Sequence, residues 1–451
     1  MSSLWDGMLG VGALAGLILF VVAVRRWPVV GAVVLAINVL LAWEFPNATA
    51  LAVVEGRSIY FLDVLGLALL LVGLAGVKQL FRNLGSVAWL WLAFGLVLLV
   101  SLARGLTQLD PGVAVTEFRS FFYNFATITW AMTLAWNPAR TRVLVEKFAL
   151  ALGWGLVVVG GYHLARYGLG SASAFVDAST GLNQTSRPLV SGQALILLIC
   201  AVVSLWLWGR DRRKSVLLSS IVFLAVVVVV QQRTVWGVAI AVAAVIFVVS
   251  KSNTKSAMVV FGIVAAWGVG LVLATGAAGD LLAQLEDSAT NFATYDARLT
   301  SWADLIDRSI SHGFEHVAFG APFGSGYGRF EGAGRWVEFA PHNWYLTVYL
   351  RAGLLGFALF ALFLILVLVR ALRTRGNSAA IAILVACLVY GWSYSWLWYT
   401  GGLLGWAISR STGRGELPPR SRPTRPADLV RPPQGLPHRY EPPGSVHEGV
   451  R

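Results

Sequence analysis

The sequence predicts an all-α fold: a polytopic membrane helix bundle of twelve or thirteen crossings with one large extracytoplasmic loop containing amphipathic helical structure. Three observations predict it. Hydrophobic residues make up 57% of the 451-residue chain, and its mean hydropathy is +0.70. Charged residues make up 13%, whereas soluble domains carry about a quarter. Apolar runs of about 20 residues recur along the chain, each long enough to cross a hydrocarbon core. Backbone groups in lipid must be satisfied within each run, so such runs are helices.

The first run, 8–24, follows "MSSLWDGMLGVGALAG". That start lacks the basic region and cleavage site of a secretory signal, so the run reads as a retained helix. Further spans are expected near 28–43, 58–76, 85–103, 117–135, 144–166 and 189–209. The apolar stretch from 215 to 250 is too long for one crossing. It reads as two spans, 215–230 and 235–250, joined by a turn at Gln231-Gln232-Arg233-Thr234. Spans at 257–275 and 343–369 follow, then a block at 379–409 that Gly391 and Gly401/Gly402 could break into a hairpin. Basic clusters such as Arg25/Arg26, Arg140/Arg142 and Arg370/Arg373/Arg375 fall after every second span. The positive-inside rule puts them on the cytoplasmic side, and the N-terminus outside.

Four regions result. Residues 1–275 hold the first ten membrane helices, 276–342 form the large outer loop, 343–409 hold the last membrane helices, and 410–451 form a cytoplasmic tail. The tail is rich in Pro and Arg and poor in apolar residues, a composition that predicts disorder. Within the loop, "YDARLTSWADLIDRSI" spaces Leu299, Trp302, Leu305 and Ile306 as one helical stripe. This helix is expected on the membrane surface or as a cap on the bundle. The net charge of +13 follows the loops and tail rather than a nucleic-acid motif, so membrane lipid headgroups are its expected counterpart and nucleic acid is not. Cys200 and Cys387 lie inside apolar runs and read as small buried hydrophobes. The six histidines do not cluster, and no metal site or cofactor is expected.

The candidate site residues sit where spans meet the outer loops. In "EFAPHNWYLTVYLRAGLLG" (338–356), His342 heads a helix expected from Asn343. At about 100° per residue, His342, Tyr345, Tyr349, Gly353 and Gly356 fall near one face. The glycines would admit a neighbouring helix, making a firm mount for a catalytic imidazole. Hydrogen bonding to a loop carbonyl is the alternative role for His342. Arg233 is forced to the outer face by the double crossing, against the positive-inside tendency. A guanidinium there suits bidentate phosphate binding; an ion pair to a loop acid is the alternative. Arg187 and Arg119 stand at outer span ends with the same two options, Arg119 near Glu117. Arg298 is expected to be solvated or paired with Asp296 or Asp304, and His163 to hydrogen-bond at the interface. Asp63 lies a few residues inside a span, either functional or paired with a nearby cation. Arg351 lies deeper in its span and needs a buried partner.

The pattern H-N-x9-G-x2-G, His342, Asn343, Gly353 and Gly356, resembles the signature of the O-antigen ligase and polymerase-like family of bacterial envelope glycosyltransferases. "QQRTVWGVAIAV" resembles that family's outward Arg at a helix start. "RLTSW" followed by "FGSGYGRF" resembles its large outer loop, and "YFLDVLGLALLL" and "EFRSFFYNF" its early spans. The likeness covers most of residues 55–400. Two positions depart from the pattern: Arg351, where Glu is frequent, and Gly237, where Leu is frequent. The resemblance implies a multi-pass enzyme of the bacterial plasma membrane. It would take a glycan from a polyprenyl-diphosphate donor at the outer face and pass it to an acceptor hydroxyl on a lipid, protein or glycan. His342 would be the general base or acceptor-positioning group, with Arg233 and Arg187, joined by Arg119, as diphosphate ligands. Ligase and polymerase use the same parts. A transporter of lipid-linked sugars is the reading from another class, and it calls for charges at mid-membrane.

Overall fold

The computed structural model describes residues 2–41, 50–54, 57–134, 138–167, 174–176, 183–185, 187–230, 232–249, 255, 293–331, 335–374 and 378–411. The expected span at 257–275, the start of the large loop and the tail from 412 onward lie outside them. Helices dominate. α1 (Ser2–Arg26) meets α2 (Pro28–Leu41) at a bend of 108°. A small hairpin, β1 (Ala52–Val54) with β2 (Arg57–Ile59), leads into α3 (Phe61–Ala75), α4 (Val77–Leu84), α5 (Ala88–Gln108) and α6 (Pro111–Thr133). α7 (Pro138–Tyr167) precedes a second hairpin, β3 (Ala174–Val176) with β4 (Asn183–Thr185), and then come α8 (Ser191–Asp211), α9 (Lys214–Val229) and α10 (Arg233–Val249). The loop region carries α11 (Ala293–Ser311), α12 (Phe314–Phe319) and a third hairpin, β5 (Arg329–Glu331) with β6 (Arg335–Val337). α13 (Trp344–Thr374), α14 (Ser378–Ser393) and α15 (Gly401–Ser411) close the bundle.

Among the described residues, four helical stretches are long and apolar enough to cross a membrane: Val77–Gln108, Val145–Arg166, Ser191–Gly209 and Trp344–Arg373. The bent α1–α2 pair makes a fifth if taken as one span. α3, α9, α10 and α14 are apolar but shorter. They occupy the spans expected at 58–76, 215–230 and 235–250 and the first part of 379–409, so the sequence-based count includes helices below the usual spanning length.

Boundaries follow local chemistry. α6 starts six residues before the expected 117, because Asp110 accepts the Val113 N–H at 2.9 Å and Pro111 takes the first helical position. The stretch 215–250 does turn between α9 and α10, with Arg233 as the first residue of α10. The block 379–409 does split, at Tyr394–Thr400. Its exposed carbonyls are met from α6: Asn124 Nδ2 donates to Trp396 O at 2.9 Å, and Thr127 Oγ1 to Trp398 O at 3.0 Å. α8 is apolar all round and lies at the centre, with nearly every residue from Gly192 to Leu205 buried. α6 and α15 pack closely, since Gly405 has no Cβ to meet Ile128 O, which would lie 2.5 Å away.

The expected continuous helix from 343 is corrected at both ends of its signature. Asn343 is the cap, not the first turn: its Oδ1 accepts from Leu346 N at 3.0 Å. At Gly353 the backbone leaves helical geometry, with φ 62° and ψ −170°. Only glycine occupies that region without strain. A Cβ there would collide with the backbone of Ala318–Phe319 at the end of α12. Gly320 meets the same break from the other side, where a Cβ would lie 2.6 Å from Arg351 C. The neighbour admitted by Gly353 is therefore the loop helix α12, while Gly356 faces Val97 of α5. Arg104 of α5 anchors this junction, donating to Gly320 O at 2.9 Å and pairing with Glu315 at 2.6 Å.

α11 caps this end of the bundle. Trp302 and Leu305 pack with Tyr327, Leu346 and Leu350. Leu299 and Ile306 stay about 40% exposed, at 41% and 38%, so only half of the expected stripe is covered. Arg351 finds its partner in Glu117 of α6, through Nε at 2.9 Å and through Nη2. Glu117→Ala is expected to cost about 3–5 kcal/mol, because it strands a buried guanidinium. Glu117→Ala combined with Arg351→Met should recover most of the loss. Thermal unfolding of the single and double variants in detergent checks this, and equal losses in both would refute it.

Candidate functional site

His342 lies in the turn between Pro341 and the α13 cap. Its ring sits between two aromatic rings, Phe339 and Tyr394, each with a centroid 5.5 Å away. Each of those rings carries an arginine. Arg329 lies 5.1 Å from the Phe339 centroid, and Arg298 lies 5.4 Å from the Tyr394 centroid. The five side chains form a ladder with the imidazole at its middle. Arg329 is only 1% exposed; it donates to Ser301 Oγ, to Tyr327 O at 3.0 Å and to Phe339 O at 2.7 Å. Those bonds pin the hairpin and the 339 turn to α11. Arg298, from α11, reaches Ser393 O at 3.4 Å. It does not pair with Asp296 or Asp304, as the sequence suggested; Asp304 pairs with Arg308 instead.

This setting lowers the His342 pKa from 6.5 to about 4. Burial is the largest cause, and the charges of Arg298 and Arg329 follow. The imidazole is thus neutral at pH 7, with a lone pair available, yet below the near-neutral basicity expected from the residue type alone.

Arg187 and Arg233 stand at the heads of α8 and α10. Arg187 precedes α8, and its Nη1 donates to Gln232 Oε1 at 3.0 Å. Gln232 Nε2 in turn donates to Leu189 O at 3.2 Å. Gln232 therefore ties the Arg187 segment to the head of α10, where Arg233 is the first residue. Burial lowers the Arg187 pKa; Tyr394 acts against that, and Arg233 acts with it. Tyr394 therefore lies within electrostatic reach of Arg187 while its ring abuts His342. Two linkages that the sequence reading did not single out emerge: Gln232 joins the Arg187 segment to the head of α10, and Tyr394 stands between His342 and Arg298.

Arg119 is placed elsewhere. It pairs with Asp63 at 3.0 Å, donates to Ser58 O at 2.5 Å and lies 4.8 Å from the Tyr60 centroid. Tyr123 also donates to Asp63, at 2.5 Å. Asp63 is the paired carboxylate that its alternative reading described, and Arg119 already has a counter-charge beside it. Asn343, Gly353 and Gly356 act on the backbone, shaping the head of α13. His163 is buried in α7 against Tyr162. Among the described residues, no group of three or more His, Cys, Asp and Glu side chains is arranged to hold a metal ion.

The arrangement sets a neutral proton acceptor near Arg298 and Arg329, with Arg187 and Arg233 at the heads of α8 and α10. It suits an anionic ligand with a neighbouring hydroxyl to deprotonate. In comparison with known proteins, no protein-family model and no curated sequence matches the chain.

Removing either flanking charge should raise the basicity of His342. In Arg298→Gln the imidazole is expected to titrate above 4, toward 6.5, since a cation that opposes protonation is gone. Histidine NMR of the labelled variant tests this; an unchanged midpoint would show that Arg298 is not felt at the ring.

Proposed function

We propose that the chain is a multi-pass enzyme of the bacterial plasma membrane that transfers a glycan from a polyprenyl-diphosphate donor to an acceptor hydroxyl. The observation that carries this reading is a buried, neutral His342 flanked by Phe339 and Tyr394 and by the charges of Arg298 and Arg329, with Arg187 and Arg233 at the heads of α8 and α10 joined through Gln232. In this reading the twelve or thirteen helices span the bilayer, and the 276–342 loop caps its outer face. The donor's hydrocarbon tail stays among the helices, while its diphosphate lies at the helix heads beside the arginines.

The step is a displacement at the anomeric carbon. The acceptor O–H gives its proton to His342 as the acceptor oxygen bonds to that carbon. The bond from the carbon to the phosphate oxygen breaks, and its electron pair leaves on the diphosphate. Guanidinium groups fixed before the reaction stabilise that charge without reorganising. The same anion answers the low basicity of His342. A bound diphosphate offsets the arginine charges and raises the imidazole's proton affinity toward the range useful for a general base. The base therefore strengthens when the donor is present. Grouping of the charges at one end favours transfer over transport, which calls for sites at mid-membrane.

His342→Ala is expected to lower transfer by about 100- to 10,000-fold with normal membrane abundance. In cells it should strand the donor glycan on its lipid carrier. Single repeat units left on lipid identify a polymerase, and full-length chains left on lipid identify a ligase. Unchanged lipid-linked and surface pools, where deletion of the whole gene alters them, would overturn the role of His342. Arg233→Lys keeps the charge but loses the planar fork. It is expected to reduce kcat/KM in reconstituted vesicles by at least tenfold, and an unaltered value would remove Arg233 from the diphosphate site.

A further inference from the structure

α13 has 31 residues, whereas a bilayer needs about 20. Gly353 divides it. After the break, the helix from Leu354 to Thr374 is apolar for most of its length and ends beside Arg370 and Arg373. At 1.5 Å per residue that stretch is about 30 Å long, the thickness of a hydrocarbon core. Its basic end belongs on the cytoplasmic side, so the outer edge of the hydrocarbon falls at Gly353. Before the break stands Arg351, a buried charge that is costly at bilayer depth and belongs beyond that edge. α5 agrees. Arg104 bonds to Gly320 and Glu315, while Val100, one turn earlier on the same face, is exposed and apolar.

α12 brings more apolar side chains to this level. Phe314, its first residue, is 81% exposed. Phe319, its last, is also exposed, although its backbone closes on Gly353. Ile306 and Ile310, one turn apart near the end of α11, are exposed too. Gly313, with a φ of 94°, turns the chain from α11 into α12, a conformation that suits glycine. Leu354 and Leu355 of α13, just past the break where α12 docks, are exposed as well. The apolar surface of the span therefore continues onto this corner, and a contiguous patch of that kind marks an interaction surface. What covers Leu354 and Leu355 in the membrane is lipid. The polar groups at the corner suit a headgroup layer: Glu315 is paired with Arg104, and the rings of His312 and His316 stack with centroids 5.0 Å apart.

We propose that the α11–α12 corner is a lipid-binding foot, with Ile310, Phe314 and Phe319 seated in the outer leaflet where headgroups meet acyl chains. The inference rests on the reading of α13 as a membrane span. α12 is locked to α13 at Gly353 and to α5 through Arg104. The foot therefore fixes how far the head of α13, and His342 with it, stands from the lipid.

The test uses the full chain in lipid nanodiscs, with a nitroxide spin label on a single introduced cysteine. Cys200 and Cys387 are buried and leave the new thiol as the reactive one. Phe314→Cys and Ile310→Cys read the corner, the second with Phe314 in place. Leu362→Cys, at an exposed position of α13, reads the span. Accessibility to oxygen, which partitions into lipid, is compared with accessibility to a water-soluble nickel chelate. The corner labels are expected at a depth of about 5–10 Å within the headgroup and acyl boundary, and the 362 label deeper. Corner labels as open to the chelate as a label in water, with the 362 label deep, overturn the proposal and leave the span intact. Corner labels screened from both reagents indicate a protein neighbour and also overturn it. A 362 label open to the chelate overturns both.

Discussion

The site depends on one buried ion pair, Arg351 with Glu117. Their side chains are 2% and 10% exposed, and removing two charges from water is costly unless every donor and acceptor is met. Here the bonding is dense. Arg351 also donates to Gly326 O at 2.5 Å and lies 4.1 Å from the Tyr327 centroid. Glu117 accepts from Gly324 N at 2.5 Å. One pair thus joins α6, the head of α13 and the 324–327 loop. Two residues on, Gly353 breaks α13 and lets α12 dock into the gap. Together these contacts fix the loop that carries Arg329 and Phe339, and so the walls that enclose His342.

Charge around the site is paired within the fold. Glu117 neutralises Arg351, Asp63 neutralises Arg119, and Glu315 meets Arg104. Arg187 is oriented by an uncharged amide, Gln232, and Arg298 by a carbonyl and an aromatic face. An amide fixes a guanidinium in place without cancelling its field. At His342, burial and the charges of Arg298 and Arg329 depress the basicity of the imidazole.

Much of this was legible in the sequence, and the limits have physical causes. The turn at 231–234 followed from the length of the apolar stretch, and Arg233 at a helix head followed from the turn. His342 and its two glycines stood out at a polar-to-apolar boundary. The helix break at Gly353 did not, because helical periodicity assumes a continuous helix and cannot register a φ of 62°. Arg351's partner lies 234 residues away in sequence, beyond any local pattern. Arg298 looked solvated because two acids flank it within a few residues, yet an aromatic ring and a carbonyl hold it. The best overlooked signal for Tyr394 was "YGWSYSWLWY" (390–399), a density of aromatics too great for a plain span end.

Helix polarity supports the same arrangement. Arg187 stands just before α8, Arg233 begins α10, and His342 stands just before α13. Each of these residues therefore sits at a helix N-terminus; Gln232 joins the Arg187 segment to the head of α10, and Tyr394 packs against His342. A helix N-terminus carries a partial positive charge and unpaired N–H groups, both of which favour an anion. The exposed end of α14 carries Tyr394 instead of a charge, so the partially negative C-terminus faces the site through an aromatic residue. The heads of α8, α10 and α13 thus carry Arg187, Arg233 and the uncharged His342, and the partial charge of each head is built into the fold. The short head of α13, cut off at Gly353 and bolted by Arg351, is what holds one of those ends in place.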